Sequence, residues 1–228
     1  MISVAVDGPA GAGKSTICRQ AAEQLGFVYV DTGALYRSVG LFVLRRGGDP
    51  TDSAGVESLL EGLRVDLRFE QGEQRVLLDG EDVTALIRTP EVSMAASQVS
   101  AIPAVRKFLF ETQRRLAREH DVVMDGRDIG TVVLPDATVK IFLTAPLKVR
   151  AQRRHLELIE KGQPVEFDAV YREMEQRDYN DSHRSAAPLR QADDAVLLDN
   201  GGLTLAQSVE RMVAIVHENI AAKGEKQA

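Results

Sequence analysis

The sequence predicts an α/β fold in which a parallel sheet is covered by helices on both faces. Short apolar runs bounded mostly by Asp, Gly or Pro alternate with longer segments whose apolar residues recur every three or four positions. The short runs have too few residues for helices, and their continuous apolar character is typical of buried parallel strands. These predicted strands are Ile2–Val6, Phe27–Val30, Val122–Met124, Val139–Leu143 and Ala195–Leu198.

Helical patterns occupy the segments between these strands. A first helix is predicted over Lys14–Leu25 and a second over Gly33–Arg46, and each is followed by a glycine that suits a helix end. Pro103 suits the first turn of another helix, which continues to Glu119, and Thr204 opens the last one. Strands and helices that alternate in this order favour a parallel sheet.

One segment departs from this alternation and predicts a small antiparallel insert at about residues 63–88. From Leu63 to Glu70 apolar and charged residues alternate, which is typical of a strand with one face in water. A turn is predicted at residues 71–73, and a second apolar run follows at Arg75–Leu78.

Composition and charge exclude several classes of protein. The 228 residues include 28 Lys and Arg against 34 Asp and Glu, and the formal net charge of −6 argues against a dedicated nucleic-acid binder. No apolar run approaches the ~18 residues of a membrane span, and no basic, apolar leader opens the chain. The single cysteine, Cys18, suits a reducing cytosol. We therefore expect a soluble, cytoplasmic protein without membrane partners.

A glycine-rich loop between the first predicted strand and helix is the strongest functional signal. The loop fits the pattern G-x-x-x-x-G-K-[ST], and its residues are Gly8, Pro9, Ala10, Gly11, Ala12, Gly13, Lys14 and Ser15. In such loops backbone N–H groups surround phosphate oxygens at a helix N-terminus. Lys14 is expected to bridge the β- and γ-phosphates, and the Ser15 hydroxyl to bind Mg²⁺. Asp125, at another strand end, is a candidate for the outer shell of that metal ion.

Arginines recur at predicted strand ends and loops of this acidic chain. Arg37 and Arg127 lie beyond strands, where parallel sheets bind ligands, while Arg177 and Arg184 flank a polar segment. Phosphoryl transfer between two nucleotides explains such a set, because the phosphates concentrate negative charge in a small space. For any single arginine, a solvated surface charge remains the alternative.

A further group of arginines lies on one predicted helix: Arg150, Arg153 and Arg154. Arg150 and Arg154 are four residues apart, so their charges repel each other, and a ligand phosphate is expected to relieve that repulsion. The residues by themselves leave the activity open. Kinases for UMP, AMP or a small metabolite share such a loop, and so do nucleotide-dependent switches that transfer no phosphate.

Motifs spread over nearly the whole chain resemble the bacterial cytidylate kinase family, whose members phosphorylate CMP and dCMP. The most specific are Asp-Thr-Gly-Ala-Leu-Tyr-Arg at 31–37 and Asp-Gly-Arg-Asp-Ile-Gly-Thr-Val-Val at 125–133. The resemblance implies one phosphate-loop kinase domain (1–228) with a five-stranded parallel sheet. Within it, an acceptor-binding region at 31–105 contains the insert, and an arginine-bearing lid lies at about 146–185. ATP is the implied donor and Mg²⁺ the implied cofactor, and we expect a monomer.

The same resemblance assigns roles to individual residues. The residues implied to face the cytosine are Ser97, Arg106 and Asp128, and those implied to hold the acceptor phosphate are Thr32, Arg37 and Arg127. Arg177 and Asp181 are implied near the ribose, and Arg184 near the base or the transferring group. The expected catalytic residues are Lys14, Arg127 and Arg184, and the residues expected to join the loop in binding ATP are Thr16, Arg153 and Arg154.

Asp128 suits cytosine chemically. The N4 amino group of cytosine donates a hydrogen bond that a carboxylate accepts, whereas uracil presents an acceptor at the same position. A salt bridge between Asp128 and a neighbouring arginine is the alternative reading of this residue. Thr32 departs from the serine that the resemblance leads us to expect, but threonine keeps the hydroxyl donor.

Overall fold

The computed structural model describes residues 1–70 and 73–225 and confirms the predicted α/β fold. Its strands are β1 (Ser3–Asp7), β2 (Val28–Asp31), β3 (Val65–Glu70), β4 (Glu73–Leu78), β5 (Glu81–Asp82), β6 (Val122–Gly126), β7 (Val139–Thr144) and β8 (Val196–Asp199). Five of them form a parallel sheet in the order β2-β6-β1-β7-β8. β1 therefore lies at the centre, and the loop that follows it opens at the middle of the carboxyl edge.

The four helices whose starts were predicted from the sequence begin within one residue of those positions. The helices of the structure are α1 (Lys14–Leu25), α2 (Thr32–Arg45), α3 (Ser53–Leu59), α4 (Pro90–Val99), α5 (Pro103–Glu119), α6 (Leu147–Glu160), α7 (Phe167–His183) and α8 (Leu205–Glu225). α2 starts one residue earlier than predicted because the side chain of Asp31 caps it, accepting a hydrogen bond from the N–H of Ala34. No helix in the described part of the chain is long and apolar enough to cross a bilayer.

The antiparallel insert is present as the three-stranded sheet β3-β4-β5. In its register Leu67 lies opposite Val76, and both side chains are buried. The alternation of apolar and charged residues along β3 thus places one face of the strand in the core and the other in water, as expected for a period of two residues. Of the predicted turn at 71–73, residues 71 and 72 lie outside the described residues.

Two large apolar clusters cover the faces of the parallel sheet. One packs α1 and α8 against the sheet and includes Ile17 and Met212. The other packs α2, α5 and the insert and includes Leu35, Leu109 and Val76. The insert therefore shares its core with the parallel sheet, and this shared core sets its position relative to the strand ends.

A smaller cluster joins α6 to α7. It contains Ala151, Val170 and Met174, all buried. A Cβ placed on Gly11 of the glycine-rich loop would lie 2.5 Å from the terminal carbon of Met174. This helix pair is thus packed directly against the loop that follows β1.

Candidate active site

The glycine-rich loop turns sharply between β1 and α1, and two of its glycines are required by geometry. Gly8 has a φ of 153°, and a Cβ there would lie 1.9 Å from the carbonyl oxygen of Leu143 on β7. Gly13 is left-handed, with a φ of 82°, and forms the N-cap of α1. The first N–H groups of α1 have no partner within the helix, so they are available to phosphate oxygens.

Lys14 is buried within this loop. Its ammonium group donates hydrogen bonds to the carbonyl oxygens of Gly8 at 2.7 Å and Pro9 at 2.8 Å. Burial lowers the pKa of Lys14, and repulsion from Arg127 lowers it further. The loop carbonyls thus hold the ammonium group where the loop is expected to receive phosphate.

Ser15 and Asp125 meet beside the loop, as the metal prediction requires. The Ser15 hydroxyl donates to Asp125 Oδ2 at 3.3 Å, and the Tyr29 hydroxyl donates to Oδ1 at 3.0 Å. Burial raises the pKa of Asp125, and the nearby charge of Asp31 raises it further. A bound cation would favour the ionised carboxylate.

The donor set at this point fits Mg²⁺. A hydroxyl oxygen and a carboxylate oxygen are hard ligands, and Mg²⁺ in nucleotide sites takes one or two protein oxygens together with phosphate oxygens. Among residues 1–70 and 73–225, no cluster of three or more His, Cys, Asp or Glu side chains forms a separate metal site. The Ser15 hydroxyl and the Asp125 carboxylate thus suit such an ion.

Positive charge collects near the N-terminus of α2. Arg37 pairs with Asp31 at 2.7 Å, and its Nε is buried without a hydrogen-bond partner. Arg127 donates from Nε to Asp181 at 2.8 Å. Burial lowers the pKa of Arg177 on α7, and repulsion from Arg127 and Arg37 lowers it further. A phosphate bound here would satisfy the unpartnered Nε and offset the repulsion.

Asp128 follows β6 and is 4% exposed. It forms ion pairs with Arg106 and, at 3.4 Å, with Arg184, so the salt bridge considered from the sequence is present. Burial raises the pKa of Asp128, and the two arginines oppose that rise. A carboxylate has about four acceptor positions, so two arginine partners still leave it able to accept from a ligand.

Arg106 is itself fixed by its surroundings. Its Nη1 donates to the carbonyl oxygen of Ser100 at 3.3 Å, and its guanidinium lies 5.8 Å from the ring centroid of Tyr36. Ser97 is half-buried one helical turn before Ser100, near the end of α4. The three residues predicted to face the base therefore come from α4, α5 and the end of β6.

The arginines of α6 do not depend on a ligand phosphate for partners. Arg150 is buried and forms a two-pronged ion pair with Asp178 of α7, at 3.2 and 2.6 Å. Its Nη1 also donates to the carbonyl oxygen of Ala10 in the loop, at 2.9 Å. Arg154 pairs with Glu157 at 2.9 Å. Protein carboxylates thus already offset part of the repulsion between Arg150 and Arg154, and its further relief by a ligand phosphate stays a prediction.

The remaining residues predicted to bind ATP lie on two elements. Arg153 donates to the side chain of Asn200 at 3.1 Å and to its carbonyl oxygen at 2.8 Å, and Asn200 donates to the Ala12 carbonyl at 2.8 Å. Arg153 is therefore linked to the loop through Asn200. Arg154 and Thr16 are exposed, and their roles toward ATP stay predictions.

Comparison with known proteins agrees with this geometry. The sequence profile of the cytidylate kinase family matches residues 4–218. The chain belongs to the cytidylate kinase family. It is 48% identical to a cytidylate kinase of Caldicellulosiruptor bescii, covering 95% of this chain and 96% of the relative. A cytidylate kinase of Geobacter sulfurreducens is 47% identical, with 94% of this chain and 92% of the relative covered.

Solved structures with low sequence identity share the fold alone. A gluconokinase from Sinorhizobium meliloti superposes with a TM-score of 0.53 at 16% identity, covering 100% of this chain and 97% of that one. An uncharacterized protein from Eubacterium ventriosum gives 0.52 at 11% identity, with coverages of 95% and 99%. The likeness shows a shared fold and no shared function, so specificity must come from particular side chains.

Three residues of this cytidylate kinase site were not singled out from the sequence. Asp7 accepts hydrogen bonds from the N–H groups of Ile129 and Gly130, both at 2.8 Å, and so holds the turn that follows Asp128. Asn200 ties α6 to the loop, and Tyr29 orients Asp125. Asp7 ends an apolar strand and Asn200 follows one, and both could have been predicted because polar residues at strand ends often bind ligands. Tyr29 sits inside an apolar run and carries no such signal.

Proposed function

We propose that this chain transfers the γ-phosphoryl group of ATP to CMP or dCMP, giving ADP and CDP or dCDP. The observation that carries the proposal is the buried carboxylate of Asp128 beside the arginines at the end of β6. A carboxylate there accepts from the N4 amino group of cytosine and repels the oxygen of uracil. The names of its relatives at 47–48% identity support the same acceptor.

Base recognition is assigned to Asp128, Arg106 and Ser97. Arg106 favours the ionised form of the Asp128 carboxylate and holds it in place, and its remaining N–H groups suit the acceptor atoms of the cytosine ring edge. Ser97 contributes a hydroxyl from α4. Arg177 and Asp181 are assigned to the ribose side, and Arg184, paired with Asp128, to the space between base and transferring phosphate.

Phosphate binding and transfer are assigned to the strand-end cations. Arg37, Arg127 and the Thr32 hydroxyl hold the acceptor phosphate, while Lys14 and the loop N–H groups hold the donor phosphates. An oxygen of the CMP phosphate attacks the γ-phosphorus, the bond to the β–γ bridging oxygen breaks, and ADP leaves with that electron pair. Lys14, Arg127 and Arg184 stabilise the negative charge on the transferring group.

Ser15 and Asp125 are the residues proposed to hold Mg²⁺, Ser15 directly and Asp125 from the outer shell. When bound, the ion neutralises charge on the donor phosphates. Residues 31–105 are proposed as the acceptor-binding region and residues 146–185 as a lid that excludes water, with Arg153, Arg154 and Thr16 on the donor side. We propose that the protein acts as a cytoplasmic monomer.

Measuring ADP formation with ATP and each nucleoside monophosphate in turn tests the proposal. We expect CMP and dCMP to support the highest kcat/KM, with little ATP consumption when no acceptor is present. A preference for UMP or AMP would assign the site to a different acceptor. ATP hydrolysis that is independent of any acceptor would favour a nucleotide-dependent switch.

A further inference from the structure

A glutamine of the insert is bonded to the backbone at the acceptor site. Gln74 on β4 accepts a hydrogen bond from the N–H of Asp31 at 2.8 Å, and its amide donates to the carbonyl oxygen of Asp31 at 3.4 Å. Asp31 ends β2, an edge strand whose other side pairs with β6. The Gln74 amide therefore satisfies the backbone N–H and carbonyl oxygen of Asp31, which a further strand at this edge of the sheet would otherwise bond.

Gln74 occupies an unusual position for a polar residue. It shares one side of β4 with Val76 and Leu78, which are both buried in the core. A partly buried amide is costly unless both its donor and its acceptor are satisfied. Here the backbone of Asp31 satisfies both, so the glutamine is matched to that one residue.

Asp31 in turn controls the residues assigned to the acceptor phosphate. Its carboxylate caps α2 through the N–H of Ala34 at 3.0 Å and pairs with Arg37 at 2.7 Å. The next residue, Thr32, donates its hydroxyl to the carbonyl oxygen of Asp125 at 2.7 Å. A shift of the Asp31 backbone would therefore move Arg37 and Thr32 together.

We propose that Gln74 is a positioning residue for the acceptor phosphate. Through Asp31 it couples the antiparallel insert to Arg37 and Thr32, and so holds them in the geometry that binds the phosphate of the acceptor nucleotide. The inference rests on the proposed function, which assigns Arg37 and Thr32 to that phosphate. Gln74 has no described contact with the glycine-rich loop, so its influence is confined to the acceptor side.

The test is the Gln74→Met variant, which keeps the length of the side chain and removes both hydrogen bonds. The KM for CMP is expected to rise about 3- to 10-fold, the effect of losing one or two ordinary hydrogen bonds, with the KM for ATP unchanged. Gln74→Glu, which sets an oxygen against the Asp31 carbonyl, is expected to raise the KM for CMP as well. The matched control is Gln191→Met, which removes an amide that donates to Ala195 before β8, and both KM values should stay the same.

A second arm separates this inference from the proposed function. Arg37→Ala is expected to raise the KM for CMP, and Gln74→Met should raise it less in that background than in the wild type, because Gln74 acts through Arg37. An unchanged KM for CMP in folded Gln74→Met and Gln74→Glu, or an equal rise for CMP and ATP, overturns the role of Gln74. If Arg37→Ala leaves the KM for CMP unchanged, the phosphate assignment itself is wrong.

Discussion

Single buried charges at the strand ends decide much of the chemistry of this site. Asp7 shows how: both its oxygens accept backbone hydrogen bonds, yet burial raises its pKa to about 6. The two N–H donors favour the ionised form, and burial outweighs them. Asp7 therefore joins the start of the phosphate loop to the turn after Asp128. Its carboxyl group binds a proton when the pH falls below about 6.

The raised pKa of Asp7 predicts how stability changes with pH. Between pH 3.8, the ordinary pKa of an Asp side chain, and about pH 6, Asp7 keeps a proton in the folded protein that it has lost in the unfolded chain. The contribution of Asp7 to the free energy of unfolding therefore falls as the pH rises through 6. Asp7→Asn lacks the titration. From pH 4.5 to pH 7 the wild type should lose about 2 kcal/mol of unfolding free energy relative to the variant, measured by urea denaturation. A difference that is constant over this range would contradict the raised pKa.

Lys14 is the residue on which donor chemistry depends most. Lys14→Met removes the point charge on the transferring phosphate and is expected to lower kcat by about 10²-fold or more. The fold should persist, because the methionine replaces a buried ammonium group whose hydrogen bonds, among the described residues, go to the loop carbonyls of Gly8 and Pro9. Circular dichroism checks folding and the ADP assay checks turnover. Turnover near that of the wild type would remove Lys14 from the donor site.

The helix pair α6 and α7, proposed as part of a lid, is held against the phosphate loop by side-chain contacts. Arg150 links α6, α7 and the loop through Asp178 and the Ala10 carbonyl. Removing one partner of a mostly buried ion pair leaves the other without compensation. The α6–α7 pair has a small apolar cluster of its own, and this ion pair adds to the other polar contacts that fix it, such as Arg153 to Asn200 and Arg127 to Asp181.

The lid prediction compares two arginines of the same helix. Arg150→Met should lower the free energy of unfolding by about 2–4 kcal/mol, since it breaks a buried pair whose carboxylate is partly exposed. Arg154→Met removes an exposed pair with Glu157 and should cost less than about 1 kcal/mol. Urea denaturation of the nucleotide-free proteins measures both. Equal losses for the two variants would show that the Arg150 contacts do not fix the α6–α7 pair.

The elements were largely predictable, because their signals are local. The apolar runs, the glycine after Leu25 and the proline at the start of α5 each act over a few residues. The start of α2 shifted by one residue for a local reason, the cap by Asp31. The carboxylate partner of Arg150 was not predicted, because Asp178 contacts Arg150 only when α7 folds back along α6.

At the scale of the whole molecule, parallel topology brings distant strand ends together. The rule that ligands bind at carboxyl edges pointed to Arg37 and Arg127 from the sequence, whereas the role of Asp128 was implied by the family resemblance. It gave no distances, and contacts such as Asn200 to Ala12 span 188 positions that no local pattern connects. Gln74 was missed for the same reason, since its partner Asp31 lies 43 positions away.

The preference between CMP and UMP tests the central claim, that Asp128 makes this cytidylate kinase fold specific for cytosine. The measurement is kcat/KM for both acceptors in the wild type and in Asp128→Ala, with the KM for ATP as the control for the donor side. One good base contact discriminates by about 5- to 150-fold, so the variant should lose far more activity toward CMP than toward UMP. Equal proportional losses for the two acceptors would contradict the claim and leave Asp128 as a partner of Arg106 and Arg184 only.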